Sequence, residues 1–306
     1  MRRILAVLGL LVLALCGYLL GKPVPIDPAP WTPTPNRGFQ GPFAPNSLLT
    51  AADTLLLPGN GPEDLTVGPD GMLYTGLLDG RILKVDPASG ASTLVANTTG
   101  RPLGLRFDHA GALIVADAIR GVLSVSMAGA VSVLTDSVAG EPLSFTDALD
   151  IAPDGTIWFS DASQRWGAGT GGLMDYWESR PTGRLLKFDP VTRRTAIALD
   201  SVDFANGVAV GPDGAWLLLN ETMAGKILRY WLKGPRAGQS EVFVEGLPGV
   251  PDNLMYDGHG TFWVALFGPR TSAMTRIRSL APFWRKLIYR IPERFRISGA
   301  EPYGMI

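Results

Sequence analysis

Short runs in which apolar and polar residues alternate recur along this chain, and each run is followed by a glycine-containing turn and a second run. A strand, a tight turn and another strand are typical of a β-hairpin. The turn glycines are separated by 40, 44, 59 and 46 residues, and they are Gly71, Gly111, Gly155, Gly214 and Gly260. These spacings match the period of a four-stranded propeller blade. The sequence therefore predicts an all-β protein, a β-propeller with five successive blades.

The outer strands of the blades follow the hairpins. Third strands are predicted at residues 80–87, 121–125, 183–190 and 225–230, and fourth strands at 92–96, 131–134, 195–199 and 241–244. Residues 53–57 resemble a fourth strand with no blade before it, and we expect them beside residues 303–306 or at an open edge. Residues 301–306 resemble 101–106, the opening of another blade. We therefore expect a six-bladed propeller whose sixth blade is incomplete, as in a piece of a longer protein.

An insertion at residues 270–296 interrupts the repeat. It has eight Arg or Lys residues against one acid, Glu293. Apolar residues recur in it at helical spacing: Ile277, Leu280, Trp284, Leu287, Ile288, Ile291 and Phe295. The pattern predicts a basic amphipathic helix with Pro282 early in its second half. Such a helix either packs on the propeller with a solvated basic face, or forms a lid that also touches an anionic membrane surface.

The N-terminal 21 residues predict a membrane signal anchor. Arg2 and Arg3 precede an apolar run at residues 4–20, and arginines on one flank favour the body on the other side of the membrane. A cleaved signal peptide is the alternative. Residues 22–46 are rich in proline and predict an extended linker, followed by the propeller at 47–306. The expected location is a membrane, single-pass, with the propeller on the extracytoplasmic side.

One register of the repeat carries the candidate chemistry. Eight residues before each turn glycine stand Glu63, Leu103, Asp147, Asn206 and Asp252. Equivalent positions of successive blades lie at equivalent radius and height, and this one opens the innermost strand. Four of the five residues offer oxygen atoms, which suit a hard cation such as Ca²⁺. Any one alone would be a turn residue, but four at one register predict a metal site, which Asn253 could join or orient.

Composition narrows the possible chemistry. The net charge is −1 and the isoelectric point about 6.1, and no basic face interleaved with aromatics suggests nucleic-acid binding. The single cysteine, Cys16, lies in the N-terminal apolar run, so the body offers no thiol nucleophile. No Gly-x-Ser-x-Gly elbow occurs. His109 and His259 fall in hairpin turns, which leaves no histidine for the channel.

Several longer strings resemble the strictosidine synthase-like family, including its membrane-anchored adipocyte plasma membrane-associated group. They are residues 61–63, 80–84, 100–107, 183–187, 204–208, 227–235, 251–253 and 262–266. The resemblance implies a six-bladed propeller related to the gluconolactonase/regucalcin and paraoxonase families, which hold Ca²⁺ in the channel and hydrolyse lactones and esters. It carries the metal ligands over onto Glu63, Asp147, Asn206 and Asp252, with Asn253 matching the paraoxonase pattern. Asp147-Ala148 departs from the family's usual Asn-Asp.

These features together predict a calcium-dependent hydrolase of lactones or aryl esters. Ca²⁺ would polarise the substrate carbonyl, and Asp147 or Asp252 would accept a proton from the attacking water. The rival hypothesis is a non-catalytic scaffold or binding module with structural Ca²⁺. Amine-aldehyde condensation of the strictosidine synthase type is unsupported, because the family's catalytic glutamate belongs to the final blade.

Overall fold

Four antiparallel sheets of four strands each follow one another along the chain in the computed structural model, which describes residues 1–292 and 294. The first contains β1 (Leu65–Val67), β2 (Leu73–Gly76), β3 (Arg81–Val85) and β4 (Ser92–Asn97). The second contains β5 (Pro102–Phe107), β6 (Leu113–Asp117), β7 (Gly121–Val125) and β8 (Val131–Thr135). A two-stranded hairpin follows, formed by β9 (Ser137–Val138) and β10 (Glu141–Pro142).

The remaining sheets repeat this order. The third contains β11 (Thr146–Ile151), β12 (Ile157–Asp161), β13 (Gly183–Asp189) and β14 (Arg194–Val202). The fourth contains β15 (Ala205–Val210), β16 (Trp216–Glu221), β17 (Lys226–Trp231) and β18 (Ser240–Glu245). A fifth hairpin pairs β19 (Gly249–Tyr256) with β20 (Phe262–Pro269). The predicted propeller is confirmed, with its blades in the predicted order.

The blades pack face to face, and their first strands lie next to one another around the axis. A buried apolar cluster fills the space between each pair of neighbouring sheets. Between the second and third sheets it includes Ile114, Leu149 and Phe159. The alternation of apolar and polar residues places one set of side chains in each cluster. The first strands β1, β5, β11, β15 and β19 therefore line the central channel.

Residues 53–57 do not form the predicted strand. Leu57 instead packs against a buried cluster of the first blade that contains Leu77, Leu83 and Val85. Pro58, which directly follows, accepts a hydrogen bond from the Arg81 guanidinium at 2.9 Å. The segment covers apolar surface of the first blade rather than pairing with the last one, and residues 303–306 lie outside the described residues.

The basic insertion forms two helices rather than the single predicted one. They are α3 (Ser272–Arg278) and α4 (Pro282–Arg290). Pro282 occupies the first turn of α4, where proline's missing N–H costs nothing, and so begins a helix instead of interrupting one. Two further helices are α1 (Arg2–Gly21), which carries the N-terminal apolar run, and α2 (Leu173–Glu178) between β12 and β13. Residue 293 and residues 295–296 of the predicted helix lie outside the described residues.

The proline-rich segment at residues 22–46 lies against the propeller and is not a free spacer. Ile26 is buried, and the Ala29 N–H donates to the Glu178 carbonyl at 2.8 Å. The Arg270 guanidinium donates to the Thr34 hydroxyl at 2.8 Å and to the Pro35 carbonyl at 3.1 Å. Prolines hold this backbone extended and leave its carbonyls free to accept such bonds.

Candidate functional site

A cavity of about 680 Å³ opens at the end of the channel where the first strands begin. We call this end the channel mouth, and the opposite end, which carries the Asp-Gly turns, the turn end. Glu63, Asp147, Asn206 and Asp252 line the cavity. Its walls also include side chains of α2 and α3, together with Trp31 of the proline-rich segment. Elements from outside the repeat therefore enclose the predicted site.

A β-bulge recurs where the candidate ligands stand. The register of the first strand shifts between Pro102 and Leu105, between Thr146 and Leu149, between Ala205 and Val208, and between Pro251 and Leu254. Bulges turn side chains away from strict alternation and are common beside functional sites. The bulge in β19 explains how the consecutive residues Asp252 and Asn253 both reach the candidate site.

Neighbouring first strands approach closely at Gly207. A β-carbon built there would lie 2.6 Å from the Asp252 carbonyl oxygen and 2.8 Å from the Asn220 amide nitrogen. No side chain fits in that space, so glycine lets β15 and β19 come together. The contact fixes the distance between Asn206 and Asp252.

The predicted ligands contact one another in two pairs. The Asn206 amide donates to Asp252 Oδ1 at 2.7 Å, and the Asn253 amide donates to Glu63 Oε1 at 2.8 Å. Glu63 Oε2 and Asn206 Oδ1 are buried and have no hydrogen-bond partner among the described residues. Buried oxygens without a partner are rare because desolvation is costly, and here they belong to two of the predicted ligands.

The pKa values of the three carboxyl groups in the site are all raised. Burial raises the pKa of Glu63 to about 8, and the charges of Asp252 and Asp64 contribute to this rise. Burial, followed by the charges of Glu63 and Asp252, raises the pKa of Asp147 well above its usual value. Burial also raises the pKa of Asp252. Removal from water and mutual repulsion both disfavour the ionised forms, so a cation between these groups would relieve an existing cost.

Three residues near this cluster were not assigned to the site from the sequence. Arg101 lines the cavity, and its charge lowers the pKa of Glu63 and of Asp147. Asn220 is completely buried, and its amide donates to the Asp252 carbonyl at 2.6 Å. Phe204 lines the cavity with φ of 66°, an unusual value for a bulky side chain. Arg101 and Phe204 lie two residues before the ligand register, and Asn220 lies on a second strand, so the repeat gives no signal for them.

The oxygen atoms of the candidate ligands are chemically suited to a hard cation. Carboxylate and amide oxygens are the ligands that Ca²⁺ takes in proteins, and the unpartnered oxygens Glu63 Oε2 and Asn206 Oδ1 are available. Among residues 1–292 and 294, no group of three or more His, Cys, Asp or Glu side chains has a metal-binding arrangement. The amides of Asn206 and Asn253 hold two of the carboxylates instead, so the joint binding of a cation stays a prediction.

The fold and the site together define a β-propeller whose channel mouth is lined by carboxylates and partly enclosed by helices α2 and α3. The family model described as strictosidine synthase matches residues 147–235, and the model described as strictosidine synthase-like, N-terminal, matches residues 41–85. This chain belongs to the strictosidine synthase-like family, which includes the adipocyte plasma membrane-associated proteins.

The similarity covers most of this chain but a smaller share of some relatives. Strictosidine synthase-like protein 4 of Arabidopsis thaliana is 38% identical over 236 residues, which cover 75% of this chain and 62% of that protein. The adipocyte plasma membrane-associated protein of Rattus norvegicus is 32% identical over 303 residues, which cover 92% of this chain and 80% of that protein. This chain thus spans less than two thirds of the length of the plant protein.

Solved structures show the same fold. A gluconolactonase from Xanthomonas campestris has a TM-score of 0.60 at 20% identity and covers 81% of this chain and 84% of its own. A calcium-binding regucalcin from Agrobacterium tumefaciens has a TM-score of 0.56 at 18% identity, with 69% of each chain covered. At these identities the likeness concerns the fold alone.

The N-terminal helix and the relatives both suggest membrane association. Helix α1 is long and apolar enough to cross a membrane, with a mean hydropathy of 2.6 and no buried residue. A relative at 32% identity is named as plasma membrane-associated.

Proposed function

We propose that this protein is a membrane-anchored, calcium-dependent hydrolase of lactones or aryl esters. The observation that carries the proposal is the group formed by buried Asp147 and half-buried Glu63 and Asp252, which line a cavity large enough for a small ester. The raised pKa values of Glu63 and Asp147 and the unpartnered oxygens of Glu63 and Asn206 support the binding of a cation by these residues. A fold shared with a gluconolactonase is compatible with this class of reaction.

The residues fit distinct roles in such a reaction. Glu63, Asp147, Asn206, Asp252 and Asn253 would hold Ca²⁺, which supplies polarisation of the ester carbonyl when bound. Asp252 or Asp147 would accept the proton from the attacking water, because both carboxylates line the cavity in which the ester would lie.

The cavity walls favour a partly apolar substrate. Leu103, Phe145 and Phe204 form an apolar cluster at the cavity, and the two phenylalanine rings meet edge to face at 5.5 Å. Aromatic walls bury an aryl or alkyl group, and the few polar groups orient it. An aryl ester or a lactone combines both parts.

The decisive experiment measures hydrolysis of phenyl acetate and of a γ-lactone by the full chain in detergent. We expect turnover that EDTA abolishes and that excess Ca²⁺ restores. Asp252→Asn should lose about 10²–10³-fold in kcat, the usual cost of removing a group that acts in the transition state. Glu63→Gln should mainly weaken Ca²⁺ binding, with activity partly restored by excess Ca²⁺.

The rival function is a non-catalytic scaffold or binding module with structural Ca²⁺. Tight Ca²⁺ binding without turnover would favour it, as would equal turnover by the parent, Asp252→Asn and Glu63→Gln at saturating Ca²⁺. Asp70→Asn is the matched control, because Asp70 pairs with Lys84 on the surface at 2.7 Å. Its activity should equal that of the parent.

The location belongs to the same proposal. Helix α1 would span the membrane once, with Arg2 and Arg3 on the cytoplasmic side and the propeller on the extracytoplasmic side. The finding that supports this orientation is the basic N-terminal flank of an apolar helix of 20 residues.

A further inference from the structure

We infer that the channel mouth faces the bilayer that holds α1 and that its rim enters the lipid surface. This inference rests on the proposed anchor but not on the proposed hydrolysis. It commits to membrane lipid as the occupant of an apolar surface that the described residues leave uncovered. We call this surface the rim and define it as Leu78, Leu173, Phe267, Phe283 and Trp284.

The rim is apolar and exposed. Leu78 follows β2, Leu173 begins α2 and Phe267 lies in β20. All three line the cavity, and they are 62%, 50% and 69% exposed. Phe283 and Trp284 lie at the start of α4, each 52% exposed, with their rings packed edge to face at 5.2 Å. Water contact is unfavourable for large apolar side chains, and exposed groups of them mark interaction surfaces.

The end of α1 places α4 at the membrane interface. The Tyr18 hydroxyl donates to the Arg290 carbonyl at 3.0 Å, and the Arg290 guanidinium donates to the Lys22 carbonyl at 2.6 Å. A helix of 20 residues is about 30 Å long, which is the thickness of the hydrocarbon core. Its last turn therefore lies at one interface, where tyrosine is common, and the last turn of α4 lies there too.

The segments that connect α1 and α4 to the propeller place the channel mouth on the same side of the molecule as the end of α1. Residues 22–46 run from the end of α1 along the mouth, and Trp31 from this segment packs against the Arg278 guanidinium at 4.1 Å. Helix α3, which lines the cavity, leads directly into α4. Helix α4 itself spans only about 14 Å. The anchor, the aromatic pair and the cavity opening thus form one end of the molecule.

The topology provides a reporter site at the other end. Strand β11 runs from the mouth to the turn end, β12 returns, and β13 runs to the turn end again, so the β13–β14 turn lies far from α1. Val191 in this turn is 89% exposed. Cys16 in α1 is the only cysteine of the chain, which makes site-specific labelling simple.

The experiment uses the full chain in vesicles of phosphatidylcholine and phosphatidylglycerol that contain nitroxide-labelled lipid. A fluorophore is attached to native Cys16, or to Phe267→Cys, Trp284→Cys or Val191→Cys in a Cys16→Ala background. We expect the nitroxide to cause a large loss of fluorescence, with a blue-shifted emission, at positions 16, 267 and 284. Position 191 should lose no fluorescence.

Quenching at position 16 alone, with 267 and 284 behaving like 191, would overturn the inference and leave the anchor standing. Absence of quenching at all four positions would overturn the anchor and the inference together. If 267 and 284 escape quenching and the chain forms a dimer in detergent, a second copy covers the rim and the inference is wrong. None of these outcomes depends on turnover, so failure of the proposed hydrolase activity remains a separate result.

Discussion

Asp175 is a buried carboxylate in α2, close to the cavity but outside the predicted ligand set. It is only 4% exposed, and its Oδ2 atom has no hydrogen-bond partner among the described residues. Burial raises its pKa to about 6, and the charges of Glu178 and Asp203 contribute to the shift. The folded protein therefore binds a proton at this position more tightly than the unfolded chain does.

The sign of the effect on stability follows from this shift. The stabilisation by the proton is complete below pH ~4 and is lost as the pH rises from there through ~6. Over this interval the unfolded chain ionises at Asp175 while the folded protein keeps its proton, and the loss levels off once the folded state ionises as well. Asp175→Asn keeps the shape without the charge, so we expect equal stability at pH 4 and a gain of about 1–3 kcal/mol at pH 8. Chemical denaturation at both pH values measures the difference. Asp53→Asn, at an exposed position, should change nothing, and a loss of stability in Asp175→Asn at pH 8 contradicts the argument.

Gly207 offers a second prediction about a single residue. In Gly207→Ala the new methyl carbon would lie 2.6 Å from both the Asp252 carbonyl oxygen and the Leu254 amide nitrogen. We expect β19 to shift, with weaker Ca²⁺ binding and a stability loss of about 1–3 kcal/mol, as for other overpacked cores. Gly169→Ala is the control, since nothing lies within 4 Å of the added carbon there. Calcium titration calorimetry on both variants checks it, and unchanged binding in Gly207→Ala would show that the close approach is unimportant.

At the scale of elements, Arg106 joins several first strands across the channel. It extends from β5, and its guanidinium donates to Asp64 Oδ2 at 2.9 Å, next to β1. The same group lies 3.9 Å from Asp150 Oδ1 in β11 and 3.5 Å from the Leu254 carbonyl in β19. Burial opposes the charge, but the two carboxylates outweigh it and raise the pKa of Arg106. One cation therefore links strands from four blades.

Removing that cation should weaken the whole ring. Arg106→Met leaves Asp64 and Asp150 without a partner whose side chain is 16% exposed. Breaking a fully buried pair costs about 3–5 kcal/mol, so we expect a loss near the lower end of that range for this partly buried group. Lys84→Met removes one partner of an exposed ion pair with Asp70 and should cost far less, because water screens such pairs. The two free energies of unfolding, measured in urea, test the contrast. Similar values for both variants would mean that Arg106 does not tie the blades together.

Comparing the observed strands and helices with the predicted ones shows which features the sequence could predict. Local signals such as the Asp-Gly turns and the alternating strands predicted the blades and placed Asp147, Asn206 and Asp252 at one register. The prediction for residues 53–57 was wrong, because the apolar run at residues 55–57 fits either a strand or a segment that covers Leu77 and Leu83. Contacts between blades decide between such options, and they carry no local sequence signal.

Features outside the ligand register were the other part that the sequence did not predict. Asn220 reaches Asp252 only because β15 and β19 meet at Gly207. The split between α3 and α4 depends on whether Pro282 begins a helix or bends one, and periodicity permits both. These features depend on tertiary contacts rather than on the pattern of any one segment.

For the whole molecule, the proposed anchor α1 would hold the propeller at a membrane. An uncleaved anchor keeps the protein in the membrane pellet after extraction with alkaline carbonate, and we expect that result for the full chain. Leu11→Arg combined with Ala14→Arg should release it, because each charge at the centre of a spanning helix costs about 2.5–3.5 kcal/mol. Val191→Arg, at the turn end, is the matched control and should stay in the pellet.

A soluble chain that lacks about twenty N-terminal residues by intact mass would point instead to a cleaved signal peptide. Release of the intact full-length protein by carbonate would contradict the anchor directly.

The docked proline-rich segment has a practical consequence for how this protein can be cut. A protease site or an expression boundary placed at residue 47, where the propeller repeat begins in the sequence, would remove Trp31 from the cavity wall and Ile26 from the core. It would also strip the Arg270 guanidinium of Thr34 and Pro35. A soluble form that keeps both Ile26 and its pocket must therefore begin between Gly21 and Ile26. Shedding by cleavage within residues 32–46 would release a propeller whose pocket lacks Trp31.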